Sequence, residues 1–253
     1  MRDFFKKNLF ALGQYTLIVV KSFYDIVRLR FSVREVSLQI IRIGVLSLPI
    51  IVLTAMFTGM VLALQTAYGL QRFGAKNYVG NIVGLSLLRE LGPVLSAIMV
   101  CGRVGAAVAA EIGSMAVTEQ IDALRSMGAS PITKLVTPRL LAGLIAMPVL
   151  VIIADIVGIY GGLLVAVYEL NITSHMYITG MLRTVWLADL QEGLIKSFFF
   201  GFLVITIASY RGLVTTGGTT GVGRATNEAV VIGSIAIFIS DYFLTKILIL
   251  LNW

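Results

Sequence analysis

Long apolar runs, separated by short stretches rich in charge and glycine, set the pattern of this 253-residue chain. A helix needs about 20 predominantly apolar residues to cross a bilayer. Five runs reach that length, predicting membrane-spanning helices near 43–68, 81–103, 139–168, 188–210 and 229–251. The third, "RLLAGLIAMPVLVIIADIVGIYGGLLVAVYEL", is too long for one upright crossing, so it is tilted or extends beyond the bilayer. Ahead of the five lies "SVREVSLQIIR", Ser32 to Arg42, with apolar positions at helical spacing and charges between. That pattern suits a helix lying along the membrane surface. The first thirty residues carry basic groups before a short, interrupted apolar run without a small-residue cleavage site. They read as a retained interfacial helix rather than a signal peptide. The expected fold is an all-α polytopic membrane protein, with interfacial or elbow helices in 1–42 and a five-span domain in 43–253.

Composition agrees with this picture. Hydrophobic residues make up 58% of the chain and charged residues only 13%, where a soluble domain carries about a quarter charged residues. Basic residues give a direction. Residues 1–42 hold eight Lys and Arg, the 104–139 loop three and the 211–228 loop two, against Arg72, Lys76 and Arg183 on the other side. That alternation puts the N-terminus in the cytoplasm and Trp253 outside. The net charge of +7 lies mostly beside spans, where anionic headgroups are the natural partner, so nucleic acid is not expected. The lone Cys101 excludes an internal disulfide. The lone His175 cannot assemble a zinc site and reads as a polar residue of an extramembrane loop, so no metal is expected.

The stretch "TTGGTTGVGRAT", Thr215 to Thr226, comes one step from a phosphate-cradling loop. Arg224 stands in place of the lysine, Ala225 in place of the hydroxyl residue, and no strand precedes it. It fails as a nucleotide site. The expectation is a tight cytoplasmic turn whose glycines adopt positive φ, with a helix starting at Thr226 or Asn227.

The longest cytoplasmic loop predicts a short helix from Glu119 to Met127, capped by Thr118 and ended by Gly128 and Pro131. Ile121, Leu124 and Met127 form an apolar ridge flanked by Glu119, Asp122 and Arg125. Such a ridge fits either a groove on a partner or the chain's own bundle.

Ionisable residues inside spans are costly and face an interior or a wet cavity. At 1.5 Å per residue, Arg89, Glu90, Lys196 and Asp241 lie about 12–15 Å below the outer ends of their spans. Two cations and two anions thus share one depth. They form an ion-pair network or a polar contact for a lipid headgroup. Leu62, Thr66, Leu70 and Phe73 fall on one helical face of span one, a possible greasy wall. Asp155 has no partner at its depth, and Glu111 pairs with Arg103 two turns earlier.

"DALRSMG" looks like the coupling segment of ABC importer permeases. More specific are "LLRELGPVLSAIMVCGRVGAAVAAEIGSMAVTEQIDALRSMG", "GLIKSFFFG" and "GGTTGVGRATNEAVV". Together these closely resemble the MlaE family, permease subunits of ABC transporters that work with MCE-domain proteins on lipids. The similarity runs from about Phe31 to the C-terminus. It implies a non-catalytic, homodimeric permease in the bacterial inner membrane that moves phospholipid and supports outer-membrane lipid asymmetry. A cytoplasmic ABC ATPase would dock on Glu119, Gln120, Ile121, Asp122, Ala123, Leu124, Arg125 and Met127. A hexameric MCE protein would sit on the periplasmic side, and a STAS-domain protein would bind the ATPase. This subunit needs no cofactor of its own, since ATP and magnesium belong to the ATPase. The substrate cavity the resemblance implies carries over to Arg89, Glu90, Lys196 and Asp241, with Leu62, Leu70 and Phe73 as wall residues. The competing classes are an ion- or proton-coupled secondary transporter using Glu90, Asp155 and Asp241 as a relay, and an intramembrane enzyme. The first lacks a clear pair of broken-helix repeats, and the second has poor catalytic material.

Overall fold

In a computed structural model of the chain, residues 2–251 are described, with side chains from Leu9 onward. Trp253, expected outside the membrane, lies outside the described residues. Five helical stretches among the described residues are long and apolar enough to cross a bilayer: Val33–Gln71, Lys76–Val117, Ile132–Tyr168, Leu187–Leu213 and Gly218–Leu250. The all-α expectation holds, but several boundaries move.

The chain divides into two compact units. One gathers the residues up to Val45 with Val100–Ala146 and Gly201–Ile237; the other gathers Leu46–Met99, Met147–Phe200 and the residues from Phe238 onward.

In the first unit, helix α1 (Arg2–Val27) precedes the five stretches and α2 (Val33–Ile43) opens the first of them. Helix α1 exposes Leu9, Phe10, Leu12, Leu17 and Val20 while burying Ile18, Ser22 and Asp25. An apolar outer face of this kind belongs in lipid. Three ties fix its inner face. The Tyr15 hydroxyl lies 2.8 Å from Thr206 Oγ1, Phe23 packs on Phe202 at 5.7 Å between ring centroids, and Thr133 Oγ1 donates to Asp25 Oδ2 at 2.5 Å. Burial of the Tyr15 phenol raises its pKa above the ordinary value.

The second unit begins with α3 (Leu48–Gln71), where Pro49 occupies the first turn at no hydrogen-bonding cost. Then come α4 (Val79–Ser86), a π-helical turn Leu87–Leu91, and α5 (Gly92–Val100), which runs on into the first unit. A second π turn, Cys101–Gly105, leads to α6 (Ala106–Val117) and the short α7 (Gln120–Ser126). A third, Ile132–Val136, opens α8 (Thr137–Tyr168). At about 1.5 Å per residue, the 32 residues of α8 exceed one upright crossing, as its sequence led one to expect. The last helices are α9 (Ser174–Thr184), α10 (Leu187–Leu213) and α11 (Gly218–Leu250).

Close helix approach defines the core of the second unit. A Cβ at Gly59 would collide with the backbone of Gly158, and one at Gly161 with the backbone of Met56. Small residues therefore let α3 and α8 touch through their main chains, the usual basis of helix association in lipid. Around this contact Ala63, Ala67, Val83, Leu87, Ala166 and Tyr177 form an apolar cluster.

Helix α9 was absent from the span reading, being too short to register as a crossing. His175, expected in a loop, is exposed on it. Thr173 caps it by accepting from Met176 N at 3.3 Å, and Tyr177 is completely buried. Burial raises the pKa of that phenol strongly, so it stays a neutral hydroxyl.

The glycine-rich stretch corrects another expectation. Gly217 and Gly218 do take positive φ (90° and 69°), but α11 already begins at Gly218 and runs through Gly221, Gly223 and Thr226. The turn is confined to two residues, and no helix starts at Thr226 or Asn227. Thr226 Oγ1 instead donates back to the Val222 carbonyl at 2.8 Å. Arg224, in the would-be lysine position, reaches Glu228 at 2.9 Å one turn along.

Candidate functional site: a charged cluster around Lys196

Lys196, on α10, is the centre of the second unit's polar cluster and is fully buried. Its Nζ donates to Glu90 Oε1 at 2.7 Å and to the Arg89 carbonyl at 2.8 Å. Asp241 Oδ1 stands 3.4 Å away and Glu192 Oε1 3.5 Å. Thr245 Oγ1 donates to the same Glu90 oxygen at 3.1 Å. Three of the four residues expected at one depth, Glu90, Lys196 and Asp241, therefore meet. The fourth, Arg89, gives Lys196 its carbonyl, and its side chain reaches the cluster only through Glu192.

The Arg89 side chain turns to a second set of acids. It bonds Asp189 Oδ1 at 2.5 Å and lies 3.7 Å from Glu192. Asp189 is buried and also accepts from Trp186 N at 2.6 Å, which fixes the start of α10. The position of Arg89 and Glu90 in the π turn Leu87–Leu91 explains the split. The wide turn leaves the Arg89 carbonyl available to Lys196, and π turns recur at functional sites for such reasons.

Exposure separates the roles. The Arg89 and Glu90 side chains are 38% and 39% exposed, whereas Lys196 is 0% exposed. Lys196 holds the cluster together, and Arg89 with Glu90 present its charge outward.

Asp189, Glu192 and Thr245 escaped the sequence reading. Their signal was legible: Asp189, Glu192 and Lys196 recur at i, i+3 and i+7 in "DLQEGLIK", one face of a helix.

The greasy wall is only partly as expected. Leu62 and Leu70 are half-buried against the Ala63–Tyr177 cluster. Phe73 lies past the end of α3, after Arg72, and is 82% exposed. It does not share a helical face with the other two, because the helix has already stopped. Asp155 is buried, and its Oδ1 lacks a hydrogen-bond partner among the described residues. That oxygen occupies the space a Cβ at Gly92 would need.

The first unit carries the segment proposed for coupling. Helix α7 spans Gln120–Ser126, with Glu119 before it in the left-handed conformation at φ 60°. Thr118 does not cap it: its hydroxyl donates to the Ser114 carbonyl at 2.9 Å and accepts from Gln120 Nε2 at 3.1 Å. The expected ridge is graded rather than uniform. Ile121 is buried in the unit, Leu124 is half-buried and Met127 is 73% exposed. Ala123, Asp122 and Arg125 are exposed, with Arg125 Nη1 on Asp122 Oδ1 at 2.9 Å.

Glu111 does not pair with Arg103. Its two oxygens take Arg42 at 3.4 Å and Arg139 at 2.9 Å. Arg103 donates to the Arg42 carbonyl at 3.1 Å. Arg103 sits within the π turn Cys101–Gly105, where the regular helical spacing assumed by the expected pairing does not hold.

A profile of the family described as Permease MlaE matches residues 36–247. This chain belongs to the MlaE permease family. A probable ABC transporter permease protein of Rickettsia typhi is 44% identical over 94% of this chain and 92% of its own length. Another, from Synechocystis, is 41% identical over 88% and 85%. The intermembrane phospholipid transport system permease protein MlaE of Haemophilus influenzae is 38% identical over 97% and 93%. The chain is thus an ABC transporter permease, a multi-pass transport subunit, and its charged clusters are features of an MlaE-family permease.

Proposed function

We propose that this permease moves phospholipid between the bacterial inner membrane and a periplasmic MCE-protein carrier, supporting outer-membrane lipid asymmetry. The N-terminus and α7 face the cytoplasm. Two copies form a homodimer with a lipid cavity open toward the periplasm. An ABC ATPase, carrying ATP and magnesium and bound in turn by a STAS-domain protein, docks on α7. A hexameric MCE protein receives or delivers the lipid outside.

One observation carries the substrate reading: Arg89 and Glu90 stand partly exposed over a fully buried Lys196, within long helices apolar enough to cross a bilayer. An exposed cation and carboxylate side by side match the phosphate and amine of a zwitterionic headgroup. The name of the Haemophilus relative supports phospholipid as the cargo. The positive-inside distribution supports the orientation.

The test compares Glu90→Ala with Asp122→Lys in the purified complex. Glu90→Ala should leave ATPase recovery unchanged and lower the phospholipid retained, read by mass spectrometry, several-fold. Asp122→Lys, on exposed α7, should release the ATPase while the permease keeps its thermal midpoint. Full lipid retention and transport in Glu90→Ala would remove the headgroup role. Undiminished ATPase recovery in Asp122→Lys would remove α7 as the dock.

A further inference from the structure

The first unit holds a second place suited to lipid, on helices other than those that carry the Lys196 cluster. Beside α1 a cleft of about 540 Å³ is lined by Leu17, Ile18 and Lys21, by Arg125 and residues 128–132, and by Val214. Among the described residues no Asp or Glu lines it. Asp25, one turn beyond Lys21, is buried and held by the Thr133 hydroxyl. Lys21 has no hydrogen bond or ion pair among the described residues. Arg125 spends Nη1 on Asp122 and keeps further N–H donors.

The cleft shares Gln14 and Leu17 with an apolar groove of about 440 Å³ along α1, lined by Leu9, Phe10 and Gly13. A basic, carboxylate-free end thus opens into a greasy trough on a helix whose outer face is apolar.

We propose that this cleft and groove bind one anionic phospholipid of the cytoplasmic leaflet, its phosphate at Lys21 and Arg125 and an acyl chain along Phe10 and Gly13. The assignment rests on the cytoplasmic placement of α1 in the proposed function. That leaflet is rich in anionic lipid, which attracts basic groups at its surface. Free phosphate would satisfy the basic end but leave the trough unused. The bound lipid joins α1 to the segment after α7, so its occupancy steadies the coupling region independently of the transported lipid.

The experiment measures phosphatidylglycerol and phosphatidylcholine retained by the full transporter complex after extraction from vesicles containing both. Wild type is compared with Lys21→Glu and Gly13→Phe, each also in the Glu90→Ala background to weaken the outer site. A Cβ at Gly13 meets nothing within 4 Å, so a larger side chain starts in open space on the groove's floor and its phenyl competes with an acyl chain there. Lys21→Glu should lower phosphatidylglycerol retention at least about five-fold relative to phosphatidylcholine, the worth of one basic group at an anionic surface. Gly13→Phe should lower phosphatidylglycerol retention with an unchanged thermal midpoint. If Lys21→Glu does not assemble, Gly13→Phe decides alone.

Wild-type retention in Gly13→Phe, or in an assembled Lys21→Glu, overturns the site. Displacement of phosphatidylglycerol by millimolar inorganic phosphate overturns it in favour of an anion site. Loss of ATPase with lipid retained overturns it in favour of a protein contact. Thiol labelling of the exposed Ser126→Cys from one side of sealed vesicles tests the orientation separately. Labelling from the periplasmic side would overturn the leaflet assignment even if lipid binding persisted.

Discussion

Two charge clusters of this permease, one in each unit, invert one another. In the second unit a single buried cation, Lys196, is surrounded by Glu90, Glu192 and Asp241. In the first unit a single carboxylate, Glu111, lies between Arg42 and Arg139. Their centres also differ in exposure, since Lys196 is sealed off while Glu111 is 46% exposed. A buried charge cannot be exchanged for hydration, so its partners depend on it. Arg42, 58% exposed, can turn its long side chain toward water when its partner goes, while buried Arg139 keeps the Leu135 carbonyl at 2.6 Å. The same kind of ion pair is therefore a keystone in one unit and a lesser brace in the other.

The sharpest way to break this contrast is Lys196→Met. It keeps the length of the side chain and leaves the facing carboxylates without their cation. The permease should lose about 3–5 kcal/mol of stability, the cost of removing one partner from a buried pair. The thermal midpoint and recovery of assembled complex would check this. An unchanged midpoint would mean that the carboxylates are already neutral or hydrated, and the contrast would fall.

Glu111→Gln should cost less, about 1 kcal/mol, because Glu111 is half-exposed and the amide still offers an oxygen to buried Arg139. Assembly and retained lipid should stay near wild type. A loss as large as that of Lys196→Met would show that the edge cluster is equally indispensable.

Arg224→Ala should have the smallest effect. Its pair with Glu228 is on an exposed side chain, and such i,i+4 pairs contribute about 0.3–0.5 kcal/mol. Nucleotide affinity of the whole complex should be unchanged, and the isolated permease should not bind ATP above background. Saturable, magnesium-dependent binding by the isolated chain would reverse the reading of the glycine-rich stretch.

Some of the candidate site was legible because depth in a membrane follows from counting residues along a helix. Glu90, Lys196 and Asp241 were grouped by that count alone, and they meet. Counting gives height but not rotation. Arg89, at the same height, sends its side chain to Asp189 instead, and Phe73 falls beyond a helix end that hydropathy does not mark. The Gly218 start of α11 was misread for a related reason. Glycines permit a turn without requiring one, and here only Gly217 and Gly218 use positive φ.

The sequence by itself determined that this chain is a five-span helical membrane protein. The free energy of placing some 20 apolar residues in lipid is a property of each segment alone. The family, too, was written in motifs along the chain. Tertiary structure alone decided which charge faces which. Pairing between helices depends on rotation about each axis and on how closely the axes approach. Three π turns and a glycine contact at Gly59 and Gly158 set those quantities here. They sent Glu111 to Arg42 and Arg139, sealed Lys196, and left Arg89 and Glu90 partly exposed.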